Sequence, residues 1–219
     1  EGIQFRGMDP SHVAMIDLNW PNASFEKYEC DKEFKLTLRI EELSKLIKRA
    51  KQNNSISISA EDDEYMIVKL ENGRKREFQI RLIESSQSPQ QVPKLSLDSK
   101  IVIDKGVFED TLNDVGAVAD HITIETNNDE INFIGNGDSG KAKITLNKSD
   151  EGITDISSKA ESKATYSLQY LSSILKAIGT TAETITIEYS NKMPFKIEFR
   201  LGEVGGHINF YLAPRIDDR

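Results

Sequence analysis

A chain of 219 residues with 36 acidic and 28 basic side chains carries a formal net charge of -8. Phosphate repels such a chain at a distance, which excludes a general coat for nucleic acids and leaves only local contact with them. The single cysteine, Cys30, excludes an internal disulfide, and no apolar run approaches the roughly 20 residues that span a bilayer. We therefore expect an intracellular protein without a membrane segment.

The chain begins with a segment that recurs later. Residues 1–18 can be laid over residues 129–146 without a gap, at an offset of 146 − 18 = 128. The same offset lays the segment LSKLIKRA over LSSILKAI and pairs Lys48 with Lys176. Two segments that share one register predict an architecture of two duplicated copies.

The segment LSKLIKRAK, residues 43–51, concentrates positive charge in an otherwise acidic chain. Its apolar residues recur at helical spacing and predict a helix over 41–52. The i, i+3, i+4 spacing places Lys45, Lys48 and Arg49 on one face of that helix. Without further information, such a face is interpreted as a solvated helix surface.

Alternating apolar and polar residues predict half-buried antiparallel strands along the rest of the chain. These runs lie at 55–60, 121–125, 141–146 and 184–189. Further helices are predicted at 106–119 and 167–178. Two strand-rich copies, each with helices on one face, indicate an α+β architecture.

The duplication also predicts the domain boundaries. The first domain spans 1–83, a connector spans 84–97 and the second domain spans 98–219. The connector is rich in Ser, Gln and Pro, which predicts an extended surface segment with one apolar point at Val92 and Pro93. The offset places the counterpart of the second helix ahead of residue 1, so we expect the first domain to lack its opening strand and helix.

Two short motifs suggest catalysis but lack the sequence context that catalysis needs. Residues 135–140, GNGDSG, satisfy GxGxxG, yet a strand-like run follows where a dinucleotide site needs a helix. In GDSG, Ser139 would be a hydrolase nucleophile, but no orienting Asp–His pair is indicated. His12, His121 and His207 have no chelating spacing. We predict a turn at Ser139, with no catalytic residue, no metal and no cofactor.

Both ends of the chain carry specific motifs. FRGMDPSHVAMI at 5–16 and NFYLAPRIDD at 209–218 closely resemble proliferating cell nuclear antigen, the sliding clamp of replication, especially its archaeal forms. The resemblance includes the LSKLIKRA helix and the connector, so it covers essentially the whole chain. It implies the DNA clamp fold, with two duplicated domains per subunit and helices on the inner face of a trimeric ring. An archaeal source would imply a cytoplasmic location, and a eukaryotic source a nuclear one.

The resemblance implies a processivity factor that performs no chemistry. It would encircle duplex DNA and tether DNA polymerase, flap nuclease and ligase through short peptides, after a clamp loader has opened the ring. The alternative is a subunit of a heterotrimeric or checkpoint-type clamp. The clue to this alternative is Glu109, Asp110 and Asp114 on the second helix, where many family members place basic residues. Whether the ring is a homotrimer or a heterotrimer stays open.

The resemblance also implies three groups of site residues. The residues that line the hole and contact DNA phosphates are Lys45, Lys48, Arg49, Lys51 and Lys176. The residues that form the client-peptide pocket are Met8, His12, Val13, Met15, Val92, Pro93, Pro194, Leu212, Ala213, Pro214 and Ile216. The residues at the subunit contact, where edge strands pair, are Phe78, Ile80 and Leu82 on one subunit and Thr154 and Ile156 on the next.

Overall fold

The computed structural model describes residues 2–84, 91–127 and 129–216. The chain divides into two compact units. The larger unit comprises Glu1–Tyr28 and Pro89–Arg219, and the smaller unit comprises Glu29–Ser88. Each unit has a hydrophobic core of its own.

Strands predominate over helices in the described residues. In chain order the elements are β1 (Gly2–Met8), β2 (Ala14–Pro21), a 3-10 turn (Asn22–Ser24), α1 (Ile40–Ile47), β3 (Ser55–Ser59), β4 (Tyr65–Asn72), β5 (Arg74–Arg81), β6 (Ser99–Asp104), α2 (Lys105–Gly116), β7 (His121–Asn127), β8 (Glu130–Gly137), β9 (Gly140–Asn147), β10 (Ile153–Ser158), β11 (Ser162–Ser167), α3 (Leu168–Ile178), β12 (Thr184–Tyr189), β13 (Phe195–Leu201) and β14 (Gly206–Leu212). The predicted strands are confirmed, and the predicted α+β class with them.

The larger unit is built on two antiparallel sheets. One has the order β1-β2-β14-β13-β12-β6-β10 and the other the order β11-β7-β8-β9. Every second residue of a strand points to the same face, so the alternating runs send one apolar row into the core. Ile101, Ile187 and Ile197 are fully buried there.

Helices α2 and α3 each present one apolar stripe to this core. On α2 the stripe follows i, i+4, i+7 spacing with Phe108, Leu112 and Val115. On α3 it consists of Leu168, Leu171, Ile174, Leu175 and Ile178. The opposite faces of both helices are exposed and can make contacts outside the unit.

The glycines of GNGDSG let α2 and the residues after it pack closely on β8. A Cβ on Gly135 would lie 2.7 Å from Cγ1 of Val115, and one on Gly137 would overlap the carbonyl oxygen of Val118. Asp138 and Ser139 lie between paired Gly137 and Gly140, as a strand-connecting turn. The predicted turn is confirmed, and helix packing explains the glycine spacing.

The smaller unit has a three-stranded antiparallel sheet in the order β3-β4-β5. Its core consists of Met66, Val68, Leu70 and Ile80. Helix α1 packs against this core with half-buried Leu43, Leu46 and Ile47 but has no fully buried residue. The smaller unit therefore has a thinner core than the larger one.

The predicted helix over 41–52 is wrong at its C-terminal end, because α1 stops at Ile47. The amides of Arg49 and Ala50 donate to carbonyls three residues back, at Leu46 and Ile47, which tightens the last turn. The Lys51 amide then donates to Oδ1 of Asn54 at 2.6 Å. This side-chain acceptor offers the backbone an alternative to the helix.

The compact units do not follow the predicted boundaries at residues 83 and 98. Strand β2 pairs with β14, which places residues up to Tyr28 in the larger unit. The boundaries 1–83 and 98–219 therefore remain a prediction about duplicated copies. Within the predicted connector, residues 85–90 lie outside the described residues, and 91–97 form no regular element.

Candidate functional site

One carboxylate organises the loop that joins β1 to β2. Asp9 Oδ1 accepts hydrogen bonds from the amides of Val13 at 2.8 Å and Ala14 at 2.7 Å, and Oδ2 accepts from the amide of Ser11 at 3.1 Å. The Asp9 amide donates to the carbonyl of Ala14 at 2.9 Å, and the His12 amide donates to the carbonyl of Asp9 at 3.0 Å. The loop is thus held by its own first residue.

His12 adopts a left-handed backbone conformation within this loop, with φ of 58°. Such a φ is uncommon outside glycine, although histidine tolerates it better than most residues. The turn brings Nδ1 of His12 within 3.2 Å of the Met8 sulfur. Two residues of the predicted peptide pocket are therefore in contact.

The Asp9 carboxylate is also connected to α3. The Tyr170 hydroxyl donates to Asp9 Oδ2 at 2.9 Å. The amide of Ala14 and the other donors hold the pKa of Asp9 at about 2, below its ordinary value of 3.8. The hydrogen bond to Asp9 raises the pKa of Tyr170 in turn. Sequence reasoning missed both residues, although Asp9 stands inside the MDPSHV motif.

A row of large side chains crosses the sheet face that points away from the core. Met8 is opposite Met15, Met15 is opposite Tyr211, and Tyr211 is opposite Lys196. Directly paired residues share one face, and the neighbours Phe210 and Leu212 of Tyr211 belong to the core. Met15 is only 3% exposed and Tyr211 only 8%, whereas Met8 is 37% exposed. We name Met8, Met15 and Tyr211 the outer row.

The chain after β14 is fixed beside the β1–β2 loop. The Ala213 amide donates to the Val13 carbonyl at 2.7 Å, and the Arg215 amide donates to the Thr165 carbonyl at 2.7 Å. This bond places Ala213 beside Val13 of the loop, and its membership of a peptide pocket stays a prediction.

The remaining predicted pocket residues differ in their surroundings. Leu212 is 1% exposed and belongs to the core, because its neighbours in β14 alternate between the two faces. Its side chain is therefore not part of the surface that was predicted to include it. Tyr211 points to the other face of β14, opposite Met15, and was missed, although alternation along β14 could have found it. For Val92, Pro93, Pro194, Pro214 and Ile216, membership of a pocket stays a prediction.

The four cations of LSKLIKRAK are all exposed in the smaller unit. Lys45 lies in the last turn of α1, and Lys48 follows the helix as its C-cap. The Lys48 amide still donates to the Ser44 carbonyl, whereas Arg49 lies beyond the helix, so the predicted helical face of Lys45, Lys48 and Arg49 does not extend to Arg49. Arg76 adds a further cation, since its guanidinium donates to the Arg49 carbonyl at 3.4 Å and to Asn54 Oδ1 at 3.2 Å.

The exposed face of α2 is acidic, as its sequence indicates. Asp110 and Asp114 are exposed one turn apart, and Glu109 pairs with Lys105 at 3.0 Å. On α3, Lys176 is exposed in the last turn. The helical surface of the larger unit therefore carries more negative than positive charge.

Strands β5 and β10 both lie at sheet edges. Ile80 is 3% exposed in the smaller core, with Phe78 and Leu82 packed against it, and Ile156 is 1% exposed in the larger core. These side chains face their own cores, so the strands offer backbone edges rather than these apolar groups. Thr154 is exposed at an irregularity in the pairing of β10 with β6.

The structure contains few features that suggest chemistry. Among the described residues, no group of three or more His, Cys, Asp or Glu side chains could hold a metal ion. Arg215 Nη1 lies 2.9 Å from His121 Nδ1, so this histidine has an arginine as its hydrogen-bond partner. No helix in the described part of the chain is long and apolar enough to cross a membrane.

Comparison with known proteins identifies the family. The family described as "Proliferating cell nuclear antigen, N-terminal domain" matches residues 1–87, and the corresponding C-terminal domain matches residues 91–215. The DNA polymerase sliding clamp of Nitrosopumilus maritimus is 50% identical over 217 residues, which are 99% of this chain and 86% of that protein. The sliding clamp of Cenarchaeum symbiosum is 46% identical over 216 residues, again 99% of this chain and 86% of that protein.

Solved structures agree with these matches. A crystal structure of PCNA from Thermococcus kodakaraensis superposes with a TM-score of 0.92 at 25% identity and covers 98% of this chain and 87% of that one. A PCNA2–PCNA3 complex from Sulfolobus tokodaii contains a chain with a TM-score of 0.88 at 26% identity, covering 98% and 86%. The predicted DNA clamp fold is thereby confirmed. The chain belongs to the proliferating cell nuclear antigen family.

Proposed function

We propose that this protein is a DNA polymerase sliding clamp, a processivity factor that encircles duplex DNA and performs no chemistry of its own. The observation that carries the proposal is 50% identity, over nearly the whole chain, to a protein that bears this name. Such a role places the protein with the DNA inside the cell, in the cytoplasm if the source is archaeal. A clamp loader would open the ring.

The exposed cations supply the contact with DNA. Lys45, Lys48, Arg49 and Lys51 are clustered at the end of α1, and Lys176 stands on α3. Lysine and arginine that contact phosphates without reading bases bind DNA of any sequence, which is what sliding requires. Arg76 extends the cluster of the smaller unit.

The outer row and the β1–β2 loop form the surface that receives short client peptides. Met8 offers exposed apolar contact area above the buried Met15 and Tyr211, and methionine adapts its shape to different partners. Peptides of DNA polymerase, flap nuclease and ligase would dock here. Docking raises the concentration of these enzymes at DNA without a new catalytic group.

The open edges of β5 and β10 would join one subunit to the next. Backbone pairing at these edges extends both sheets and removes two exposed edges at each junction. The interface is heterologous, because one subunit contributes β5 and its neighbour contributes β10, and such an interface gives a ring when the rotation between subunits closes. The predicted interface residues in the two cores would stabilise the pairing strands without contacting the neighbouring subunit. They are Phe78, Ile80, Leu82 and Ile156.

Topological retention on DNA tests the main proposal. The protein would be loaded onto a nicked circular plasmid and onto the same plasmid cut once, and both would be washed at high salt. A clamp stays on the circle and slides off the linear DNA, whereas a phosphate-binding protein is washed from both. Equal loss from both plasmids would contradict encirclement.

A second candidate is a subunit of a heteromeric clamp. Two observations favour it. The exposed face of α2 is acidic. The chain is also similar to a chain of the Sulfolobus tokodaii complex, which is named for two different subunits, PCNA2 and PCNA3. Sedimentation velocity of the purified protein distinguishes the candidates. A trimer of this chain alone supports the homotrimer, and a monomer that assembles only with related chains supports the heteromer.

A further inference from the structure

Asp9 makes an unusual number of hydrogen bonds for one partly exposed carboxylate. Its two oxygens accept from three amides within its own loop and from the hydroxyl of Tyr170. The first three bonds are local and would form in many tight loops. The fourth spans 161 positions of the chain and fixes the loop to a helix.

The helix is a firm anchor. Leu168 and Leu171, on either side of Tyr170, are buried in the core of the larger unit, and Tyr170 itself packs against that core. The loop is less firmly held, because β1 lies at the edge of its sheet and Met8, Ser11 and His12 are exposed; the bond from Ala213 reaches only its far end, at Val13. The Tyr170 hydroxyl therefore holds a weakly supported part of the surface to a rigid one.

We propose that Asp9 and Tyr170 are positioning residues of the client-peptide surface. The pair holds the loop in the one conformation that places His12 over Met8 and presents Val13 beside Ala213. The left-handed backbone of His12 is intrinsically unfavourable, so the loop needs such a constraint to keep it. A loop that is already ordered loses less conformational freedom when the peptide binds.

This inference rests on the proposed docking of client peptides, and the experiment separates the two. The probe is a short fluorescein-labelled peptide with one leucine and two phenylalanine anchors, titrated with the whole protein in fluorescence anisotropy. Met8→Ala removes the exposed member of the outer row and serves as the test of the surface itself. Wild-type protein that binds no more tightly than Met8→Ala would overturn the docking proposal and the inference with it.

Tyr170→Phe tests the inference directly. The ring stays and the hydroxyl's hydrogen bonding to the loop, at Asp9 and Ser11, is lost. We expect peptide affinity to fall about two- to tenfold, the range that corresponds to a net hydrogen bond. Tyr28→Phe is the matched control, because the half-buried Tyr28 hydroxyl donates at 2.9 Å to the Gly2 carbonyl at the other end of β1. We expect the control to bind peptide like the wild type.

A double-mutant cycle shows whether the two residues act together. Asp9→Asn should weaken peptide binding more than Tyr170→Phe, and adding Tyr170→Phe to Asp9→Asn should cause little further loss. The NMR signals of the His12 ring should move in Tyr170→Phe and not in Tyr28→Phe, at equal melting temperatures. The inference is overturned if wild-type protein binds the peptide and Tyr170→Phe binds it equally well. It is also overturned if affinity falls only as much as in Tyr28→Phe.

Discussion

At the scale of single residues, two kinds of position explain why MDPSHV and GNGDSG have their particular sequences. Asp9 is an acceptor for a loop that would otherwise leave several amides without a protein partner. Gly135 and Gly137 are sites where no side chain fits beneath α2 and the residues that follow it. Both explanations concern packing and hydrogen bonding, and both can be tested by small changes.

The pH dependence of stability tests Asp9. Its folded-state pKa of about 2 lies below the ordinary value of 3.8, so the stabilisation is fully present above pH 4. It is lost as the pH falls towards 2, because the protonated carboxyl no longer accepts from all its donors. We therefore expect Asp9→Asn to melt below the wild type at pH 7, with the difference shrinking between pH 4 and 2. A difference that is constant over this range would contradict the assignment.

Replacing Gly137 by alanine tests the close packing on β8. The Cβ of an alanine at position 137 would overlap the Val118 carbonyl oxygen, which is a backbone atom and cannot rotate away as a side chain can. We expect Gly137→Ala to lower the free energy of unfolding by about 1–3 kcal/mol, measured by urea denaturation. Gly140→Ala is the control in the same hairpin, since its Cβ would lie 3.7 Å from Val118 Cγ1 in ordinary van der Waals contact. Equal losses in both variants would argue against the packing explanation.

At the scale of elements, the exposed surfaces of the helices differ in charge. The end of α1 is followed by Lys48, Arg49 and Lys51, whereas α2 exposes Asp110 and Asp114. Acidic side chains beside phosphate lower the affinity for DNA. If α2 faces DNA in the assembled clamp, it weakens the grip of the ring, and charge reversal should strengthen it.

The double variant Asp110→Lys and Asp114→Lys makes this measurable. We expect tighter binding to duplex DNA, and a plot of log affinity against log salt that is steeper by about 0.9 for each additional phosphate that a new lysine neutralises. Fluorescence anisotropy in a salt titration measures both the affinity and this slope. Glu203→Lys is the control, because Glu203 is exposed in the segment between β13 and β14. An increase in affinity no larger, per charge changed, than that of the control would mean that α2 does not face DNA.

At the scale of the whole molecule, alternation and duplication predicted the strands. The end of α1 and the pairing of distant strands depend on side-chain hydrogen bonds and packing, which these patterns do not contain. The period of LSKLIKRAK continues past Ile47, but the Asn54 side chain captures the Lys51 amide and the helix ends. Hydrophobic periodicity contains no information about a side-chain acceptor such as Asn54, so it could not predict this helix end.

Pairing between distant strands was also invisible in the sequence. Gly7 pairs with Ile16 but Gly135 pairs with Ala142, so the second strands of the duplicated hairpins are shifted from the gapless alignment. The longer Asp9 loop absorbs this shift. Similarly, only the pairing of Met15 with Tyr211 revealed that Tyr211 belongs to the outer row.

Strand β10 contains both a buried core residue and an exposed edge residue. Two substitutions distinguish their effects on stability and on subunit association. Ile156 is buried, so Ile156→Ala should lower the free energy of unfolding by about 2–5 kcal/mol, whether or not subunits associate. Thr154 is exposed at the edge, so Thr154→Lys should leave the melting temperature of the isolated subunit nearly unchanged. A lysine there opposes edge-to-edge pairing, and sedimentation velocity should show weaker association.

The control for this substitution is Asn22→Lys, on the exposed 3-10 turn, which should associate like the wild type. If Thr154→Lys and Asn22→Lys associate equally well, the β10 edge does not join the subunits. Another surface would then have to bind the neighbouring subunit, because Phe78, Ile80 and Ile156 pack in the cores of their own units.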